Sequence, residues 1–325
     1  ETPRKAMEDP LHSRPVVVNY NEGKQVVYVA TNSGYLHAIN TADGSEYFSL
    51  IPEEVLKNPN YFLSPELISD NRKVYGLDGN LSYWHNDINL NGKVDGSDTV
   101  YLYLGMRRGG HSYYAFDITN PDSPSLLWQK NGSYTETATK NVPAVSSGFE
   151  RLGQTWSSLR PALVKWNGAD KVVLFAGGGY DPDEDGTDLT GPTSRIIHDT
   201  GNTVYMLDAR TGAVLWSAYD DTTQTDMTSS FPADVTPVDK NADGYIDLLY
   251  APDVGGRIWR FDINQEATGR SDFAAAGVIA DLNTSATDGL SGNRRFYNKA
   301  DVSWIEDNGD DYILISIGSG YRAHP

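Results

Sequence analysis

The chain contains no cysteine. That one absence excludes disulfides, thiolate-ligated zinc, iron–sulfur clusters and cysteine nucleophiles together, while leaving the compartment open. Long apolar runs are missing too, since none approaches the roughly 20 residues a membrane-spanning helix needs. Positive charge is scarce. Against 26 Lys and Arg stand 44 Asp and Glu, for a net charge of −18, so the phosphates of nucleic acid or of an anionic membrane surface would repel the chain. The histidines (His12, His37, His85, His111, His198, His324) show no paired metal spacing, and each reads as structural or exposed. No serine sits in G-x-S-x-G, and Gly177-Gly178-Gly179 is not followed by the Lys-Ser/Thr of a phosphate loop. Enzyme activity therefore has no support in the sequence. The opening Glu1-Thr2-Pro3-Arg4 has neither an initiator methionine nor a signal peptide, and the chain reads as a piece of a longer protein.

What is present is aromatic and rich in turns. The chain has 20 tyrosines, 7 tryptophans and 31 glycines, with 39% hydrophobic and 22% charged residues, which marks a folded protein. Its 325 residues suffice for one large all-β domain or two ordinary ones. A repeated unit favours one domain over residues 1–325. In each unit a β-branched and aromatic run leads through a small turn into a second aromatic strand ending in Asn or Asp. The pairs are Val26–Ala30 with Leu36–Asn40, Val100–Gly105 with Ser112–Asp117, Val172–Gly177 with Thr203–Asp208, and Asp247–Ala251 with Arg257–Asp262. A fifth unit begins at Tyr312–Gly318. The residues closing the first runs are Ala30, Leu104, Ala176, Ala251 and Ile317, at intervals of 74, 72, 75 and 66. Period-two alternation marks strands, and a near-constant interval marks one supersecondary unit repeated, as in a β-propeller. The interval exceeds a blade of about 40–50 residues. Each unit must therefore hold a large insertion, Lys57–Leu67 and Asp181–Asp199 being the obvious ones, or a cryptic extra blade. The strand aromatics read as core and not as a ligand platform.

Two turns have the grammar of a calcium loop. In Asp239-Lys240-Asn241-Ala242-Asp243-Gly244-Tyr245-Ile246-Asp247, side-chain oxygens occupy positions 1, 3, 5 and 9, with glycine at 6. Ca²⁺ wants six to eight oxygens at roughly 2.3–2.6 Å, and alternate side chains on a tight loop can all point inward. Asp239, Asn241, Asp243 and Asp247 are the expected side-chain ligands, with the Tyr245 carbonyl at position 7. Tyr250 stands where a full loop has its bidentate Glu at position 12. The second loop, Asp87 to Asp98, offers Asp87, Asn89, Asn91, Lys93 (position 7), Asp95 and Asp98. Its early amides and its short aspartate at position 12 rank it lower. A third acidic turn, Asp181 to Asp188, breaks at Leu189 and holds Pro182, so it reads as a solvated loop. Both calcium loops are expected just before the first strand of a unit.

The order of motifs is more specific than any one of them. Leu11–Val18 is followed by Val29–Ala38, Gly110–Pro121 (GHSYYAFDITNP), Ala176–Pro182 (AGGGYDP), Asn202–Trp216, Asp239–Asp262 and Gly318–Pro325 (GSGYRAHP). The ensemble resembles the C-terminal domain of the PilC/PilY family of type IV pilus tip-associated adhesins and biogenesis factors. That resemblance implies a modified β-propeller, seven-bladed in the family, with one calcium site mapping onto Asp239, Asn241, Asp243, Tyr245 and Asp247. It implies calcium control of pilus extension and retraction, and so of twitching motility and adhesion. The implied partners are minor pilins and a host or surface receptor. The implied location is the bacterial cell surface, at the pilus tip or outer membrane, reached through the periplasm. Two departures stand out. The integrin-binding Arg-Gly-Asp of some members is absent, the nearest match being Gly269-Arg270-Ser271-Asp272. The chain also stops just after GSGYRAHP, so its last blade is expected to be incomplete. Leu207–Trp216 resembles, in addition, the repeats of quinoprotein dehydrogenases, propellers that use calcium with pyrroloquinoline quinone. Their greater length and frequent vicinal cysteines argue against that alternative. A generic calcium-stabilised binding scaffold is the third reading.

Overall fold

A computed structural model describes residue 7 and residues 9–58, 75–133, 142–185, 199–221, 226–283 and 292–320. The chain divides into two compact units. The first comprises Glu1–Glu150, Gln154–Leu159 and Arg210–Gly212, and the second holds the remainder.

In the first unit, β1 (Val16–Asn19), β2 (Gln25–Ala30), β3 (Leu36–Asn40) and β4 (Glu46–Leu50) form one antiparallel sheet in chain order. A second sheet follows with β5 (Leu81–Asn86), β6 (Thr99–Gly105), β7 (Ser112–Asp117) and β8 (Ser125–Asn131). The second unit repeats the plan with β9 (Arg160–Trp166), β10 (Ala169–Gly177), β11 (Val204–Asp208) and β12 (Val214–Ser217). Next come β13 (Thr236–Val238), β14 (Leu248–Pro252), β15 (Arg257–Ile263) and β16 (Ala274–Asp281), and then a hairpin of β17 (Asp301–Asp307) with β18 (Asp310–Ser316). Four-stranded antiparallel meanders are the pattern expected of propeller blades.

The strand pairs read from the sequence are the middle pairs of these sheets. They are rich in β-branched and aromatic residues, and β6, β7, β11 and β14 are buried on both faces, completely so in β11 and β14. Tyr28, Leu102, Leu104 and Tyr114 join the core of the first unit. Phe175, Trp216, Trp259, Phe261 and Phe273 join that of the second, with Trp216 edge-on to Phe261 at 5.8 Å. The expectation that strand aromatics are core holds for Trp128, Trp216 and Trp259. It does not hold for Trp304 on β17, which is half exposed. Among the described residues no extra sheet hides within a repeat. The excess length lies in connections between sheets and in the one between β10 and β11. Of the two expected insertions, residues 59–67 and 186–198 lie outside the described residues.

Every four-stranded sheet shifts register between its third and fourth strands, at Ala38/Ile39, Ala115/Phe116, Met206/Leu207 and Ile258/Trp259. In each of these sheets the fourth strand carries one extra residue, a bulge that increases local twist, falling two residues earlier in the last sheet than in the others. It is a repeat signature that spacing alone does not reveal.

One buried polar link stands out in the first core. The Tyr20 and Tyr28 hydroxyls lie 2.7 Å apart, and Tyr20 donates to the Ile118 carbonyl at 2.7 Å. Burial pushes the Tyr28 hydroxyl up to about 12, and pushes that of Tyr20, which also faces Tyr28, higher still. Tyr20→Phe removes the donor to Ile118 and is expected to cost about 1–3 kcal/mol in urea unfolding, whereas Tyr28→Phe leaves that bond and costs about 1 kcal/mol. Because both folded values lie above the roughly 10 of an unfolded phenol, the contribution is full below that pH. It is lost as pH rises through the folded values. The urea midpoint should therefore fall more steeply above about pH 10 in the wild type than in the Tyr20→Phe/Tyr28→Phe double variant.

Candidate metal centre

Both candidate loops join the first strand of a four-stranded sheet to the second. Residues 87–98 link β5 to β6, and residues 239–247 link β13 to β14. This corrects the expected placement before the first strand of a unit, because the outer strands β5 and β13 precede the loops. The equivalent β9–β10 connection is a tight turn at Asn167 and Gly168, both with positive φ.

In the loop at 239–247, backbone N–H groups orient the acidic side chains. Gly244 donates to Asp239 Oδ2 (2.8 Å), Asp243 to Asn241 Oδ1 (3.0 Å), Tyr245 to Asp243 Oδ1 (2.9 Å) and Lys240 to Asp247 Oδ2 (2.8 Å). Ala242 at φ 60° and Gly244 at φ 93° make the sharp bend. A Cβ on Gly244 would meet nothing within 4 Å, so glycine serves the backbone angle and not close packing. The structure thus brings Asp239, Asn241, Asp243, Tyr245 and Asp247 into one loop. Asn241 and Asp243 are exposed, and the other three are half-buried. Asp239 Oδ1 is buried with no hydrogen-bond partner. A desolvated carboxylate oxygen without a donor is costly, and a hard cation would offset that cost. The residues present fit Ca²⁺.

The loop at 87–98 shares the turn geometry but closes on itself. Asp87 accepts from the N–H groups of Asn91 (3.1 Å) and Gly92 (2.7 Å). The Asn89 and Asn91 amides donate to the two oxygens of Asp95 at 2.9 and 2.8 Å. Asp98 accepts from Ile88 N–H (3.0 Å) and Asp95 N–H (3.2 Å), with His85 Nε2 at 3.3 Å from its Oδ2. The Ile88 N–H first, then that of Asp95 and the His85 ring, hold the Asp98 carboxyl below the usual carboxylate range. Each carboxylate oxygen here has a partner. Ligand atoms of His85, Asp87 and Asp98 lie within 4.8 Å of one another. His85 was not foreseen as a neighbour, although it stands two residues ahead of the loop. Lys93, at position 7, offers its backbone, and its N–H donates to Asn91 Oδ1 at 2.8 Å.

Both loops are anchored through position 8 to the first strand of the preceding sheet in their own unit. Val94 N–H donates to the Asn19 carbonyl (2.9 Å), and Asn21 N–H donates to the Val94 carbonyl (3.1 Å). Ile246 N–H donates to the Leu163 carbonyl at 3.0 Å. On its other side Gln265 intervenes, with Nε2 donating to the Ile246 carbonyl (2.5 Å) and Oε1 accepting from Lys165 N–H (2.8 Å). The Lys165 ammonium sits 4.4 Å from the Tyr245 ring centroid and pairs with Asp170. That pairing, with Tyr245 second, raises the Lys165 ammonium and lowers the Asp170 carboxyl.

The third acidic turn is corrected in part. Asp181 and Glu184 are buried, not solvated, and Glu184 meets Arg295 at 2.9 Å with both side chains at most 3% exposed. Residues 186–189 of that turn lie outside the described residues. No helix among the described residues is long and apolar enough to cross a membrane.

The family described as the PilY1 β-propeller domain matches residues 16–305. Type IV pilus biogenesis factor PilY1 of Pseudomonas aeruginosa (strain UCBPP-PA14) is 26% identical over 239 residues, which cover 73% of this chain and 17% of the relative. The PilY1 homolog of Xylella fastidiosa (strain Temecula1 / ATCC 700964) is 24% identical over 241 residues, covering 73% of this chain and 14% of the relative. The chain thus spans about a sixth of the length of these curated relatives. The crystal structure of the P. aeruginosa PilY1 C-terminal domain superposes with a TM-score of 0.57 at 21% identity, covering 92% of this chain and 53% of that one. The antiparallel sheets described above are therefore those of a propeller, and the chain belongs to the PilY1 β-propeller domain family.

Proposed function

We propose that this chain is a calcium-binding propeller domain, residues 1–325 forming one domain of a longer type IV pilus biogenesis factor. Asp239, Asn241, Asp243 and Asp247 hold the ion with the Tyr245 carbonyl. The observation that carries the reading is the buried, partnerless Oδ1 of Asp239 inside a loop whose other acidic groups are already aimed by backbone N–H groups. Calcium supplies charge neutralisation there and a fixed loop conformation. That the relatives are type IV pilus biogenesis factors supports the pilus assignment. From it follow minor pilins and a host or surface receptor as partners, a place on the bacterial cell surface at the pilus tip or outer membrane, and control of extension, retraction, twitching and adhesion. A non-enzymatic role agrees with relatives that are biogenesis factors.

The 87–98 loop ranks second for calcium because every carboxylate oxygen in it already has a protein donor, whereas Asp239 Oδ1 of the first loop has none. It binds more weakly, or stays ordered without metal.

Calorimetry on the chelated protein should find a site of micromolar to submillimolar Kd, on the order expected without a bidentate Glu. Asp239→Ala/Asp243→Ala should remove it, and undiminished binding in that variant would move the site elsewhere. A stoichiometry of one that disappears in the double variant would leave the second loop metal-free.

Metal should act on the loop and not on the whole fold, because the cores are built from the sheets. At a hundredfold calcium excess over Kd the stabilisation should be about 2.7 kcal/mol, with β-type circular dichroism persisting in chelator. Global unfolding in chelator would make calcium a folding staple and remove the basis for a regulatory role.

A further inference from the structure

The two position-8 anchors differ in a single respect. At Val94 both bonds are backbone to backbone, one to Asn19 and one from Asn21, the residues flanking Tyr20. At Ile246 the first bond is the same in kind, to Leu163, but the second is spliced. The Gln265 side-chain amide stands between the Ile246 carbonyl and the Lys165 N–H, doing for both what they would otherwise do for each other. The peptide joining Tyr245 to Ile246 is planar and trans, so its carbonyl and its N–H point in opposite directions. Fixing the Ile246 N–H on Leu163 thereby sets the direction of the Tyr245 carbonyl, the position-7 ligand of the proposed calcium site. The next peptide is held as well, by Gln265 on the Ile246 carbonyl and by the Asp247 N–H donating to Val238 (3.0 Å). Positions 7 to 9 are thus fixed on β9 and β13, whereas Asn241 to Gly244 are held by bonds within the loop and are exposed.

We propose that Gln265 is a positioning residue for the ion. Its amide ties the peptide between positions 8 and 9 of the loop to the edge strand β9, next to the Leu163 bond that sets the position-7 carbonyl, and it links calcium binding to the contact between the β9–β12 and β13–β16 sheets. The inference rests on the calcium reading given above. An ion drawing the exposed positions 1 to 5 onto the fixed positions tightens the splice, and by linkage a firm splice tightens the ion.

Gln265→Met keeps the length of the side chain, lacks the amide, and leaves no room for a bridging water as Gln265→Ala would. Calorimetry with CaCl₂ should show affinity weakened roughly 10-fold or more, as for other groups that orient a ligand. Hydrogen exchange should show the Lys165 and Ile246 amides slowed by calcium in the wild type. In the variant the Lys165 amide should be fast with or without the ion. Gln265→Glu, which keeps the acceptor for Lys165 and loses the donor to Ile246, should protect the Lys165 amide yet still bind calcium weakly. Should the methionine variant not fold, the Glu variant carries the affinity test alone. Wild-type affinity in a folded variant overturns the inference and leaves the calcium site standing. A wild-type chain that binds no calcium overturns the site itself and the inference with it.

Discussion

Central strands such as β6, β7, β11 and β14 are buried on both faces, and this constraint governs the rest. A fully buried Val, Leu or Phe is worth about 1.5–3 kcal/mol relative to an exposed one. Strands such as β11 and β14, buried at every position, therefore cannot stand with one face in water. Within each unit the sheets must cover one another. Once the middle pairs are covered, the outer strands and connections are free to be short, polar or long. Loop chemistry is then an addition to a frame that holds without it.

The same constraint explains what the sequence made legible. The middle strands announce themselves because double-sided burial forces runs of Val, Leu, Tyr and Phe. Outer strands carry no such demand. β13 is three residues, Thr236-Pro237-Val238, and its proline argues against a strand. β9 begins Arg160-Pro161 and is mostly half-buried. Reading the repeat without them placed the loops ahead of a unit instead of inside a hairpin. The loop ligands were legible because their spacing is local. Their supports were not, since Leu163 acts through a carbonyl that no side chain reports, and Gln265 lies beyond the next two strands. The turn at Asp181 looked solvated because its cation, Arg295, stands 111 residues away in sequence.

Two loops with one grammar differ at position 5 and in the partners of position 1. In the 87–98 loop that residue is Asn91, and its amide, like that of Asn89, brings donors that quench Asp95. In the other loop the position is Asp243, which has no donor to spend on position 9 and itself accepts from the Asn241 amide at 3.0 Å. At position 1 the difference lies in the backbone, since both oxygens of Asp87 accept N–H bonds while Asp239 Oδ1 has no protein partner. Asparagine and aspartate are near-equivalents as metal ligands, but only asparagine can also satisfy a neighbouring carboxylate.

β1 and β9 each end the hydrogen-bonded order of their sheet. On each, one outward carbonyl, of Asn19 and of Leu163, accepts from position 8 of a loop from the following sheet. An open strand border is a template for another polypeptide to add itself. Each loop therefore works as a guard rail along such a border, two residues wide, whatever ion it holds. Shortening either one to a tight turn would do more than delete a ligand set. It would turn a closed margin into an adhesive one, and self-association would be the first thing gained.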